Sequence, residues 1–325
     1  MKWPCSLRTL YRSIKLVTRV ARAKLGGLTV GRAVERSRLV AFDDFGDNPG
    51  RLRMLAHLPG SVAGRPLVVL LHGCGQDAAG FAADSGWTEL ADRLRFALIL
   101  PEQDSANNAG RCFQWFQPHD TARDAGEACS IASMTRTAIR QLDADPRRVF
   151  IVGLSAGGAM AAAMLAAYPD LFAAGASVAG LPVGAARSRI QAIARMASAG
   201  PDQTPEAWAA LVRAAAPAGF AGPWPRLSVW QGQADTTVAP ENGDLLATQW
   251  RALHGLTSTT VAERVRNGVV QRMWPDATQP LVELWSLPQL AHAYPAGPRI
   301  AAAGRFVAPA PVDATLAIAR FIGLD

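Results

Sequence analysis

The chain has 325 residues, half of them hydrophobic and 7% aromatic, enough apolar material for one large domain or two ordinary ones, which excludes disorder as the default. No apolar run approaches the roughly 18 residues of a membrane span. The formal charge of +7 sits at the amino end: residues 1–40 hold ten Lys/Arg against Glu35 alone, whereas the other 285 residues carry a net of −2, so no nucleic acid partner is expected for the body.

In residues 6–25 the apolar Leu7, Leu10, Tyr11, Ile14, Val17 and Ala21 recur every three or four positions, with Arg8, Arg12, Lys15, Arg19 and Arg22 on the opposite face. This spacing predicts a cationic amphipathic helix within a basic tail, 1–36. It lacks the apolar core of a secretory signal and has no twin arginine. Such a helix can lie on its own domain, form a loose tail, or give weak contact with a membrane surface.

From residue 37 short apolar runs alternate with helical stretches. Strands are expected near 38–42, 53–58, 67–71, 97–100, 149–152, 175–178, 227–230 and 281–287, and helices over 81–94, 131–142 and 157–167. Runs such as "PLVVLLHG" and "RVFIVGLS" are continuously apolar, as central parallel strands covered on both faces must be. The fold class read from this is α/β, a mostly parallel doubly wound sheet of about eight strands in one domain, 37–325. Residues 185–225 interrupt the alternation with helical pieces and the Gly/Pro-rich "GFAGPWP". They fit a partial lid or a surface excursion equally well.

The segment "RRVFIVGLSAGGAM" has the form strand, tight turn, small-residue helix, the context of a nucleophile elbow at Ser155. A serine needs a base and an orienting acid, which in this arrangement follow in the order Ser, Asp, His. Asp235 in "VWQGQADTTVAP" and His292 in "LPQLAHAYPAG" lie just after later strands and meet that order. Asp244 and His254 read as members of the next helix, Asp276 as a hairpin turn, His119 as part of an irregular stretch and His57 as an early-strand residue. The oxyanion of acyl transfer needs backbone N–H donors. Ala156 should supply one; the loop His72-Gly-Cys-Gly-Gln76 should supply the other from Cys74 or Gly75, with Cys74 preferred. His72 itself reads as a structural hydrogen-bonding residue.

"LLHGCGQDAAGFAADSGWTELADRLRFALILPEQ", "RCFQWF", "GEACSI", "VFIVGLSAGGAM", "VWQGQADTTVAP" and "AHAYPAG" occur in an order that resembles the polyhydroxybutyrate depolymerase/feruloyl esterase group of α/β-hydrolases, over about residues 40–325. The resemblance implies a serine esterase with Ser155, Asp235 and His292 as triad and Cys74 with Ala156 as oxyanion donors. It also implies that Trp115 and Phe116 line the site. Trp87 is expected at the same edge, where it could stack on an acyl group.

Cys74 and Cys112 fall on loops at one sheet edge and could form a disulfide. Cys129, at a helix start, reads as a small buried hydrophobe. Cys5 completes the four cysteines; none has metal-ligand spacing, and neither a metal nor an organic cofactor is expected. Exported members of this group carry a signal, a linker and a polymer-binding domain. None is visible here, so soluble ester or oligomer substrates are expected over crystalline polymer. The compartment, exported or cytoplasmic, and the oligomeric state stay open. A serine peptidase or acyltransferase on this fold, or a non-catalytic binding protein, are the rival readings.

Overall fold

The structure, a computed structural model, describes residues 39–258, 260–275, 279–298 and 304–324. The basic tail, the amphipathic helix at 6–25 and Asp276 lie outside the described residues. In chain order the elements are β1 (Leu39–Phe42), β2 (Arg53–His57), β3 (Leu67–Leu71), α1 (Ala78–Asp84), α2 (Trp87–Leu94), β4 (Ala97–Glu102), α3 (Pro118–Thr121) and α4 (Gly126–Leu142). They continue with β5 (Val149–Leu154), α5 (Ala156–Ala167), β6 (Ala174–Val178), α6 (Arg189–Ala197), α7 (Pro205–Ala215), β7 (Arg226–Gly232) and α8 (Glu241–Leu253). The last are β8 (Ala262–Arg266), β9 (Val269–Trp274), β10 (Val282–Leu287), β11 (Tyr294–Pro295), β12 (Val307–Ala308) and α9 (Ala314–Ile322).

Ten of the strands form one sheet in the order β1-β2-β4-β3-β5-β6-β7-β10-β9-β8. The six from β4 to β10 pair in parallel, and antiparallel pairs close both ends. Because side chains alternate faces, β3 sends Leu67, Val69 and Leu71 into one core and Val68 and Leu70 into the other. The first core packs against α4, α5, α7 and α8, the second against α1, α2 and α9. That double burial is why the central strands are continuously apolar.

Two local differences from the sequence reading have clear causes. The single helix expected over 81–94 is broken into α1 and α2: the Ser85 hydroxyl donates back to Phe81 O (2.6 Å), and Gly86 takes φ +81. The sheet also has an outer hairpin, β8–β9, turned by Asn267-Gly268 with φ of +52 and +77. Asn-Gly with both residues left-handed is the preferred two-residue hairpin turn.

Residues 185–225 lie between β6 and β7. Helix α7 buries Trp208, Ala209 and Val212 in the core, but α6 buries only Ala192 and leaves Ile190 82% and Ile193 61% exposed. The end of α6 is pinned to the start of α8, where Ala239 N–H donates to Met196 O (2.8 Å) and Asn242 Nδ2 to Arg195 O (3.0 Å).

Candidate active site

Ser155 stands between the end of β5 and the start of α5 with φ +56 and ψ −119, a conformation a serine adopts only under constraint. Its hydroxyl does not cap the helix, so it is free for other partners. A Cβ on Gly153 would strike the Gly157 carbonyl, and one on Gly157 would strike the carbonyls of Leu71 and His72. Glycines at both flanks are therefore the condition for the turn.

The acid and the histidine arrive from two neighbouring parallel strands, β7 and β10. The chain past their ends is zipped together: Gln233 N–H donates to Leu287 O (2.9 Å) and Ala234 N–H to Leu290 O (3.1 Å). Strand β7 runs two residues further than Trp230, to Gly232, which sets Asp235 three residues beyond the strand. Asp235 Oδ1 accepts the N–H groups of Thr237 (2.8 Å) and Val238 (2.9 Å), and Oδ2 faces His292 Nδ1 at 2.7 Å. Burial alone would raise the Asp235 carboxyl, but the His292 hydrogen bond and the two backbone donors hold it below the ordinary carboxylate value. An ionised Asp235 can only accept, so His292 Nδ1 carries the proton and donates it. That leaves the Nε2 lone pair facing Ser155 Oγ at 2.9 Å.

Around Cys74 the backbone discriminates between the two oxyanion options. Gly75 N–H already donates to Gly110 O at 2.7 Å. Among the described residues neither Cys74 N–H nor Ala156 N–H has a protein acceptor. Cys74 and Cys112 are joined in a disulfide, with Cα atoms 4.3 Å apart, which ties this loop to the 104–117 segment. His72 is fully buried, its Nδ1 against Gly73 O (2.8 Å) and its Nε2 accepting Gln103 N–H (3.1 Å). Burial pushes its pKa down and both nitrogens are occupied, so it supports the loop from beneath.

The aromatic expectations divide. Phe116 is half-buried on the loop tied to Cys74, set edge-on to Trp115 at 5.6 Å; Trp115 is 9% exposed and belongs mostly to the core. The expectation that Trp87 lines the site is wrong. It is fully buried on α2, edge-on to Phe96, and its Nε1–H donates to Tyr294 Oη (3.0 Å). Tyr294 in turn meets Thr315 Oγ1 (2.8 Å), which donates to Ser85 O (2.6 Å). Trp87 thus anchors the chain just past His292. Cys129 is half-buried on α4 instead of fully buried, and that burial pushes its thiol pKa up.

Several contributors escape the sequence reading. Gln231 Nε2 reaches Asp235 Oδ2 (3.3 Å) and Val238 O (3.3 Å) and closes the acid loop. Glu127, the acid of the "GEACSI" motif, is 1% exposed; it accepts Gln114 N–H (2.8 Å) and the Gln103 side-chain amide, so it holds both ends of the stretch bearing Cys112, just before Phe116. Burial drives its pKa to about 8, against the opposing hydrogen bonds. A carboxyl raised this way favours folding fully below its unfolded value near 4.5, and that contribution is lost as pH rises through about 8. Glu127→Gln is neutral throughout and costs about 1–3 kcal/mol for one mismatched donor. Its Tm is therefore expected below wild type at pH 5, with the gap closing by pH 8.5. Melting curves at both pH values check this, and parallel curves would remove Glu127 as the titrating group. Glu283, also buried and raised, is present in both proteins and cancels.

The sequence profile of the family described as Esterase PHB depolymerase matches residues 53–272. The chain belongs to that family. It is 39% identical to the poly(3-hydroxyalkanoate) depolymerase C of Paucimonas lemoignei over 88% of this chain and 70% of that protein. It is 33% identical to feruloyl esterase B of Talaromyces stipitatus, over 68% of this chain and 63% of that one, so it spans under two thirds of that relative. The solved acetyl xylan esterase of Aspergillus awamori superposes with a TM-score of 0.72 at 28% identity, over 78% of this chain and 93% of the other. The fold is that of the α/β-hydrolases, and the chain is a carboxylic ester hydrolase.

Proposed function

We propose that the esterase cleaves esters of soluble hydroxyalkanoate oligomers, or short-chain or aromatic acyl esters, through an acyl-enzyme on Ser155. The observation carrying this is the pair of hydrogen bonds that places His292 between Ser155 Oγ (2.9 Å) and Asp235 Oδ2 (2.7 Å). Ser155 Oγ attacks the ester carbonyl while His292 Nε2 takes its proton, and Asp235 stabilises the imidazolium that forms. The carbonyl oxygen becomes an oxyanion against Cys74 N–H and Ala156 N–H. His292 then returns the proton to the departing alkoxide. Water repeats the sequence on the acyl-enzyme and releases the acid and free Ser155. The hydroxyalkanoate substrate follows from the name and 39% identity of the Paucimonas lemoignei relative, and aromatic acyl esters from that of the feruloyl esterase.

The test is a panel of p-nitrophenyl esters, feruloyl esters, 3-hydroxybutyrate oligomers and aminoacyl amides, with fluorophosphonate labelling. Ester cleavage and labelling at Ser155 are expected. Amide cleavage without ester cleavage would select a peptidase, and a folded protein that never labels would select a binding role.

A further inference from the structure

The segment just before β12 has no part in the triad, yet it is fastened to both halves of the site. Phe306 sets its ring edge-on to the His292 ring, 5.9 Å between centroids. Its φ is +59, unusual for a bulky residue, and such conformations persist only where the surroundings impose them. Two hydrogen bonds do so. Tyr294 N–H donates to Phe306 O (2.8 Å), and the buried Gln76 donates from Nε2 to Arg305 O while its Oε1 accepts Gly73 N–H (2.7 Å). One glutamine therefore holds the loop of Cys74 and the backbone of Arg305 in a single unit.

The Arg305 side chain lies exposed across that unit. Its guanidinium sits 5.1 Å from the Phe306 ring centre, and Nη1 donates to Gly75 O at 3.1 Å. Gly75 takes φ +69, which favours glycine, and a Cβ there would come within 2.7 Å of Nη1 and push the cation aside. Among the described residues no carboxylate pairs with Arg305. Among the described residues one of the five guanidinium donors is used, by Gly75 O, and the fork that remains has the geometry of a planar carboxylate.

We propose that Arg305 is a specificity residue that binds the free carboxylate of a short hydroxyalkanoate oligoester whose ester bond lies at Ser155. This rests on the reading of the protein as a Ser155 esterase and narrows its substrate. A hydroxyalkanoate oligomer carries a carboxylate at one end of every chain, whereas an acetylated sugar ester need carry none. Arg305 stacks on the ring that faces His292 and touches the loop of Cys74, which puts the cation beside the catalytic histidine and within the span of a short oligoester. The cation selects the chain end and disfavours neutral esters of equal size.

The experiment compares the 3-hydroxybutyrate dimer as free acid with its methyl ester, in wild type, Arg305→Gln and Arg305→Lys, at low and high salt. In wild type the free acid is expected to be preferred, with its KM rising with salt and that of the methyl ester constant. In Arg305→Gln the free-acid to methyl-ester ratio of kcat/KM is expected to fall about tenfold through KM, and Arg305→Lys should recover part of it. A ratio unchanged in Arg305→Gln, or salt dependence equal for both dimers in wild type, overturns the proposal. The salt comparison needs no variant and so stands even if substitution unfolds the segment. Failure of the wild type to cleave either dimer would instead refute the oligoester reading itself.

Discussion

Ser155→Ala is expected to lower kcat for any ester substrate by about 10⁶, with KM nearly unchanged, because it removes the atom that forms the acyl-enzyme. His292→Ala should cost about as much, since without Nε2 the serine keeps its proton. The double variant should be no worse than either single one: the two residues act as a unit, and removal of the first already forfeits the function of the second. Asp235→Asn is a different experiment. The amide preserves shape but can present N–H to the imidazole, which favours the wrong tautomer, and about 10⁴ in kcat should be lost. Asp235 also accepts the Thr237 and Val238 N–H groups, so part of the loss could be loop disorder. Near-UV circular dichroism separates the two. Burst kinetics with a p-nitrophenyl ester provide the readout, and Ser155→Ala retaining more than about 1% of wild-type turnover would move the nucleophile elsewhere.

What the sequence made legible was local. Gly153, Ser155 and Gly157 are close along the chain, the turn they build is set by their own sterics, and the apolar run before them marks a buried strand. Asp235 and His292 could be placed because chain order is enforced by strand order: β7 and β10 are neighbours, so residues shortly after each must meet. The Asn267-Gly268 hairpin was equally local and readable from its turn residues, though the eight-strand reading passed over it. What stayed illegible depends on contacts between distant segments. Trp87 falls near the active edge in the sequence, but α2 turns it inward onto Tyr294, 207 residues away. Arg305 reaches Gly75 across 230 residues, and no spacing rule foresees that contact. Glu127 sat in a recognised motif, yet nothing local distinguishes a solvated helix-start acid from one buried beneath a loop.

Cys112→Ala should lower both stability and turnover, and the two losses have separate origins. The disulfide to Cys74 closes a loop with a sequence separation of 38. The chain-entropy estimate for a loop of that length is about 4 kcal/mol, which in a domain of this size corresponds to a fall in Tm of roughly 10 °C. The catalytic loss follows from what the bond holds. Cys74 N–H is the proposed oxyanion donor, and loss of one such donor costs about 10²–10³ in kcat. The full loss is not expected, because Gly75 N–H still donates to Gly110 O (2.7 Å) and the Gln103 amide still reaches Cys112 O (3.2 Å). A fall in kcat of about 10–100-fold is the expected result, with KM little changed, since the oxyanion develops only in the transition state. Dithiothreitol should reproduce both effects in wild type and do nothing further to Cys112→Ala, whose remaining thiols are unbonded among the described residues. A variant with wild-type kcat but the lower Tm would make the bond a purely structural tie, with those hydrogen bonds alone sufficient to hold the Cys74 amide in place.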